Sequence, residues 1–223
     1  MSAIEVLVFD LDDTLFPEGE FVHSGFQAVG NWMSHKYSVV DFFEVAWQLF
    51  LEGKRGKIFN LTLEKLGVKY ESSMIQELLQ IYREHKPNIS LHEDAKWAIN
   101  YFKKDRKLGL ITDGYLMTQK NKVDALGIES NFDVIVYSDF YGRDSWKPSP
   151  VPYLKVMEAT KCPGANCLYV GDNPRKDFVT AKKLDWTTVQ ICREVGEYSD
   201  VISEDSYEAK FKIKSLLELK SIL

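Results

Sequence analysis

Apolar and polar positions alternate along the chain in two distinct styles. Residues 4–9, IEVLVF, are a short run rich in β-branched and aromatic side chains, the pattern of a strand buried on both faces of a parallel sheet. Pro17 follows, and the period then becomes helical. Phe21, Val22, Phe26, Val29, Trp32 and Met33 form one stripe over residues 21–37. Residues 39–51 are more apolar still and read as a buried helix, broken by Glu52-Gly-Lys-Arg-Gly. Helical spacing resumes over 57–66 and stops at Gly67. Ser73 with Gln76 resembles a capping box opening a helix that runs to about residue 85, and Pro87 ends it. Residues 17–88 are therefore expected to be an all-helical insert.

From Leu91 the style changes. Helices are expected over about 92–104, 117–126, 151–160, 175–184 and 207–219, with strands at 107–112, 134–137, 167–171 and 187–191. Residues 192–206 are polar and read as loop. Strands alternating with helices predict an α/β fold: an open, parallel, Rossmann-like sheet with helices on both faces. The expected division is a catalytic core at 1–16 and 89–223, with a helical cap at 17–88.

The chemistry gathers where the expected strands end. Asp10, Asp12 and Asp13 follow the first strand directly, although an ionised carboxylate resists burial unless it is paired or binds a metal. Side chains two apart on an extended backbone point the same way, so Asp10 and Asp12 are expected to face one site. Thr112-Asp113-Gly114 follows the second strand, a turn able to bind an oxyanion. Lys147 lies in the loop after the third, where a lysine can neutralise a phosphate as a point charge. GDNPRKD, with Asp172 and Asp177, follows the fourth and offers oxygen ligands for a hard cation such as Mg²⁺. Each cluster alone is an ordinary turn. Together, in this order and each after a strand, they point to one shared site at the carboxyl edge of the sheet.

Composition narrows the classes. The 223 residues, 45% hydrophobic with net charge −5, suit a globular chain of one domain with a large insertion or of two modest domains. No basic block or RNA-binding signature points to nucleic acid. No run approaches the roughly 20 apolar residues needed to cross a bilayer. No signal-peptide pattern precedes the first strand, and the expected location is cytoplasmic. Cys162, Cys167 and Cys192 lack a tight pair, so reduced, structural cysteines are expected rather than a disulfide framework or a zinc site. The four histidines show no ligand spacing.

FDLDDTLF, ITDG, the lysine of WKPSP and VGDNPRKD together resemble the four motifs of the haloacid dehalogenase superfamily of phosphohydrolases, and the resemblance spans the chain. The helical insert is similar in position to a C1-type cap. The resemblance implies a Mg²⁺-dependent phosphatase acting on a small phosphorylated metabolite, a sugar phosphate by family breadth. Asp10 would be the nucleophile, forming an aspartyl-phosphate. Asp12 would protonate the leaving alcohol and then activate water. Thr112, Asp113 and Lys147 would form the phosphate-binding set, with Thr112 and Lys147 holding the phosphoryl group and Lys147 also restraining Asp10. Mg²⁺ would be held by Asp10, the backbone carbonyl of Asp12, and Asp172, with Asp177 in support. Asp113 departs from the Asn that many relatives carry there, and it either points away or contacts the leaving group.

In the insert, Arg55 stands out between Lys54 and Lys57 in a glycine-rich turn, as a candidate substrate contact or an ordinary solvated turn residue. Trp146 could line the entrance. A phosphomutase shares the nucleophile, and a non-catalytic phosphometabolite-binding protein would share the fold. A dehalogenase is disfavoured, because it needs neither a second acid like Asp12 nor a metal. The expected oligomeric state is monomer or homodimer.

Overall fold

The computed structural model describes residues 3–194 and 204–223. The chain divides into two compact units, Met1–Glu18 with Ser90–Leu223, and Gly19–Ile89.

The first unit is built on six parallel strands, β1 (Val6–Phe9), β2 (Lys107–Thr112), β3 (Val134–Tyr137), β4 (Cys167–Gly171), β5 (Thr187–Ile191) and β6 (Phe211–Ile213), ordered β3-β2-β1-β4-β5-β6. Every residue of β1 and β4 is buried, as a strand covered on both faces requires. Val6 and Val8 belong to a core with Ile111, Val136, Tyr169 and Phe178. Helices α5 (Glu93–Phe102), α6 (Leu116–Leu126), α7 (Val151–Thr160) and α8 (Val179–Lys183) pack against the strands.

From β1 the chain steps outward through β2 and β3, then returns to place β4 on the other side of β1. That reversal puts a switch point between the carboxyl ends of β1 and β4, where open α/β sheets bind ligands. Asp10 and Asp172 are the first residues past those two ends, and the Asp10 N–H still donates to the Val170 carbonyl at 2.8 Å.

The second unit holds α1 from Gly19 onward (the helix is Glu18–Tyr37), α2 (Phe42–Leu51), α3 (Ile58–Lys65) and α4 (Ser72–Glu84). Its core is Val22, Phe26, Val29, Met33, Phe42, Phe59, Leu63 and Leu78 with their neighbours. Phe26 packs near edge-on against Phe50 and Phe59, a preferred aromatic geometry.

Three local expectations need correction. The helix expected at 175–184 is shorter, because residues 173–177 close a turn in which the Asp177 carboxylate accepts from the Asn173 N–H at 3.0 Å. The helix expected at 207–219 is instead β6 followed by a 3₁₀ turn, Leu216–Ser221. Pairing with the open edge of β5 outweighs helical spacing there, and Ser215 with Glu218 forms a capping box on the turn. No capping box forms at Ser73: the N-cap of α4 lies two residues earlier, at Glu71. Of the loop expected at 192–206, residues 195–203 lie outside the described residues.

Candidate active site

Asp10 is buried, and its Oδ1 lies 2.5 Å from Lys147 Nζ. The lysine is buried as well, and it meets Asp177 Oδ1 at 2.9 Å and the Tyr169 hydroxyl at 2.7 Å. Burial works against its charge, but Asp10 and Asp177 outweigh that and hold Lys147 well above the ordinary lysine range. Burial also pushes the Asp10 carboxyl up to about 6, against the pull of Lys147.

Asp10, Asp172 and Asp177 each offer a carboxylate oxygen within 4.8 Å of the others. The three do not stand alike. Asp177 is committed to Lys147 and to the Asn173 N–H. The Asp172 carboxyl has no hydrogen-bond or ion-pair partner among the described residues. Burial, then the charges of Asp10 and Asp177, drive it well above the usual carboxylate range. A buried, unpartnered carboxyl beside a second one is what a hard divalent cation satisfies, so this donor set fits such an ion. Gly171 makes room for the Asp177 carboxylate: a Cβ there would sit 2.5 Å from Asp177 Oδ2.

Asp12 is turned to a different partner set. Lys122 Nζ lies 2.5 Å from its Oδ1, and Gln119 Nε2 donates to its Oδ2 at 2.8 Å. The backbone bends after Asp10, Asp13 takes a left-handed φ of 52°, and its carboxylate accepts from the Glu18 N–H at 2.9 Å. Burial, then the charge of Asp12, raises the Glu18 carboxyl to about 7. The carbonyl of Thr14, in the same loop, accepts from Arg193 Nη2 at 2.7 Å, and Arg193 is ion-paired with Asp94 at 2.8 Å.

Thr112, the last residue of β2, is buried and bonded through its hydroxyl to Gln119 Nε2. Asp113 accepts the Lys147 backbone N–H at 3.2 Å, and its other oxygen lies 3.4 Å from Lys176 Nζ. The carboxylate is thereby committed to two lysine residues. Burial and Lys147 oppose the charge on Lys176, yet Asp10, Asp177 and Asp113 raise it above the ordinary range. Trp146 is fixed by an indole N–H donated to Asp139 at 3.1 Å and by the Arg143 guanidinium 5.2 Å from its ring.

Arg55 belongs to the helical unit. Its Nη1 donates to the carbonyls of Phe50 at 2.9 Å and Lys54 at 2.8 Å, and its guanidinium stacks on the Phe50 ring at 4.0 Å.

Sequence reasoning missed Gln119, Lys122 and Lys176. A signal existed for the first two. The segment LMTQKNKVDAL is helical yet almost without an apolar stripe, and its buried positions are Thr118, Gln119, Lys122 and Val123. A helix that must pack on a sheet with polar residues has been given them for another purpose.

The model of the haloacid dehalogenase-like hydrolase family matches residues 7–191. The glyceraldehyde 3-phosphate phosphatase of Methanocaldococcus jannaschii is 30% identical, covering 99% of this chain and 97% of that protein. The N-acylneuraminate-9-phosphatase of Rattus norvegicus is 23% identical, covering 100% of this chain and 95% of that protein. Among solved structures, the HAD-hydrolase YfnB of Bacillus subtilis bound to magnesium aligns with a TM-score of 0.70 at 20% identity, covering 100% of this chain and 99% of that one.

Proposed function

The chain belongs to the haloacid dehalogenase-like hydrolase family, and from that premise we propose a Mg²⁺-dependent phosphatase of small phosphorylated metabolites, with a triose or related sugar phosphate as the first substrate to try. One observation carries the reading: a buried carboxylate, Asp10, is ion-paired to a buried lysine beside two further buried carboxylates at the sheet's switch point. A carboxylate placed there without chemistry to perform would be a net cost to folding. The choice of sugar phosphate follows the activity of the Methanocaldococcus jannaschii relative, similar over nearly the whole chain.

Lys147 occupies Asp10 Oδ1, which leaves Oδ2 to attack phosphorus. The bond from phosphorus to the ester oxygen breaks as the bond to Asp10 forms, and Asp12 gives its proton to the departing alkoxide. Asp12 then takes a proton from water, the water oxygen attacks phosphorus, and the Asp10–phosphorus bond breaks to release phosphate. Lys147 offsets charge on the transferring phosphoryl oxygens as a nearby point charge, and the Thr112 hydroxyl donates to one of them. Asp113 positions Lys147 and Lys176 rather than touching the anion itself. Asp10, the Asp12 carbonyl and Asp172 would hold Mg²⁺, with Asp177 in support. When bound, the ion screens the carboxylate from the anionic substrate and polarises the phosphoryl group. In the helical unit, Arg55 is the candidate specificity residue. Two of its five N–H groups are used internally and three remain.

The test is phosphate release from a panel of phosphorylated metabolites, in Mg²⁺ and in EDTA, for the wild type and Asp10→Asn. Release that needs Mg²⁺ and disappears in the variant supports the reading. A folded wild type that releases nothing, or a fully active Asp10→Asn, sinks it.

A further inference from the structure

We infer that Gln119 and Lys122 are positioning residues of the phosphatase site, through which α6 sets the Asp12 carboxylate and the Thr112 hydroxyl for reaction. The inference rests on the functional reading above. The two residues are three apart on one helix and therefore share a face, and both are buried. Each oxygen of Asp12 receives one donor, Lys122 at 2.5 Å and Gln119 at 2.8 Å. A carboxylate gripped through both oxygens cannot swing about its last bond. Each oxygen still keeps a lone pair for the leaving group or the water. The Lys122 ammonium approaches the Asp12 carboxylate with the Phe16 ring on another side, 5.8 Å away.

Gln119 has a second effect. The terminal atom that faces Asp12 also faces Thr112 Oγ1. An amide nitrogen suits both neighbours, whereas an amide oxygen would be set against the carboxylate. Its two N–H bonds then serve one acceptor each. With a lone pair of the Thr112 hydroxyl occupied, its hydrogen is left to donate, and a phosphoryl oxygen is the acceptor the reaction supplies. One side chain thus fixes a donor for phosphate and an acid–base group for the leaving oxygen. Space for it is cut into the turn: Gly114 has φ +132°, and a Cβ there would lie 3.0 Å from Gln119 Cδ and Oε1. The glycine of TDG serves Gln119 as much as the turn.

The competing explanation is that a buried Lys–Asp pair merely fastens α6 to the sheet. Kinetics separate the two. Lys122→Met, Lys122→Arg and Gln119→Leu are compared in the wild type and in Asp12→Ala, with Mg²⁺. The probes are an alkyl phosphate (glycerol 3-phosphate) and p-nitrophenyl phosphate, whose leaving group needs little acid assistance. Positioning through Asp12 predicts that Lys122→Met and Gln119→Leu lower kcat on the alkyl ester about tenfold to a hundredfold, within what acid–base catalysis supplies. KM should change little, the nitrophenyl ester should suffer less, and Lys122→Arg should recover part of the loss. In Asp12→Ala, Lys122→Met and Lys122→Arg should cost less than about twofold, because the group they act through is gone, and Gln119→Leu should keep only the part of its loss that passes through Thr112. Equal losses on both esters, with the same factor in the Asp12→Ala background, would overturn the inference and leave the functional reading standing. A folded wild type inactive on every phosphate ester would overturn both. If Lys122→Met fails to fold, Gln119→Leu and Lys122→Arg decide the matter by the same comparisons.

Discussion

The helical unit and the carboxyl edge of the sheet bury side chains of opposite kinds. Among the described residues, the helical unit buries only two polar side chains, Ser24 and Thr62. Thr62 is satisfied by the Ile58 carbonyl of its own helix at 2.8 Å, and Ser24 bonds to His85 at 2.9 Å. The sheet edge buries Asp10, Asp13, Lys122, Lys147, Asp172 and Asp177. Apolar burial contributes roughly 25 cal/mol per Å² to stability, whereas removing charges from water costs several kcal/mol per ion before pairing repays it. One region is therefore organised by packing. The other holds an arrangement that packing alone would disfavour, which is how a site built for chemistry differs from a core.

The largest test of that contrast is Asp10→Asn. Phosphate release should fall by at least about 10³-fold, since no other group takes the nucleophile's place. The thermal midpoint should hold or rise, because the substitution removes a buried charge from a cluster of three carboxylates. A variant that is both inactive and strongly destabilised would mean that the carboxylates hold the fold together, and the contrast would collapse. The converse substitution is Phe59→Ala. Phe59 meets Phe26, Phe42 and Tyr82 edge-on or tilted. Its removal should cost about 3–5 kcal/mol in denaturant unfolding. Phosphate release per folded molecule should stay as it was, and a loss of turnover at temperatures where the variant is folded would break the comparison from the other side.

How much of this was legible in the sequence differs between the same kinds of region. β2, β3, β4 and β5 lie where short apolar runs placed them, because a strand buried on both faces leaves no room for ambiguity of period. One shared site was legible because four polar clusters each follow a strand, and the family and its activity class because FDLDDTLF, ITDG, the lysine of WKPSP and VGDNPRKD resemble the motifs of a known family. β6 was not, since FKIKSLLELK satisfies helical spacing and only the open edge of β5 reveals what Phe211–Ile213 pair with. Gln119, Lys122 and Lys176 were not, because a sequence shows which residues carry chemistry but not which side chains reach across to hold them. Asp113 was placed in the phosphate-binding set, as a departure that either points away or contacts the leaving group. Its partners, the Lys147 backbone and Lys176, lie 34 and 63 residues away.

A smaller effect sharpens the electrostatic half of the contrast. Asp10 is raised by burial to about 6 and Glu18 to about 7, with Asp172 also above its usual range. A carboxyl with a raised folded pKa binds its proton more tightly folded than unfolded. The stability this contributes is present below about pH 4 and is lost as pH climbs through about 6 to 7. Protein held in EDTA should therefore lose stability between pH 4.5 and 7.5. Mg²⁺ requires the ionised carboxylates, so it should raise the thermal midpoint more at pH 7.5 than at pH 5. The gain is about 2.7 kcal/mol at a hundredfold excess over Kd. Scans in Mg²⁺ and EDTA at the two pH values check this, and an equal increment at both would contradict it.

Arg55 gives the smallest effect and the most direct challenge to the contrast, because it asks whether the packed unit also carries chemistry. Its stacking on Phe50 and its two bonds to backbone carbonyls finish the end of α2. These are exposed contacts, and together they contribute about 1 kcal/mol to stability. If that were all, Arg55→Ala would lower the thermal midpoint slightly and leave the kinetics alone. As a substrate contact, Arg55 would hold ground state and transition state equally. Its loss should then raise KM roughly fivefold at unchanged kcat, the signature of one exposed hydrogen bond to an anionic or hydroxylated substrate. Arg55→Lys separates charge from shape: it keeps the cation but loses the planar fork that can bond two backbone carbonyls and a ligand at once. We expect KM to rise for Arg55→Ala and to rise less for Arg55→Lys, measured on the best substrate of the panel. An unchanged KM in both would retire Arg55 as a specificity residue and assign the helical unit to packing alone.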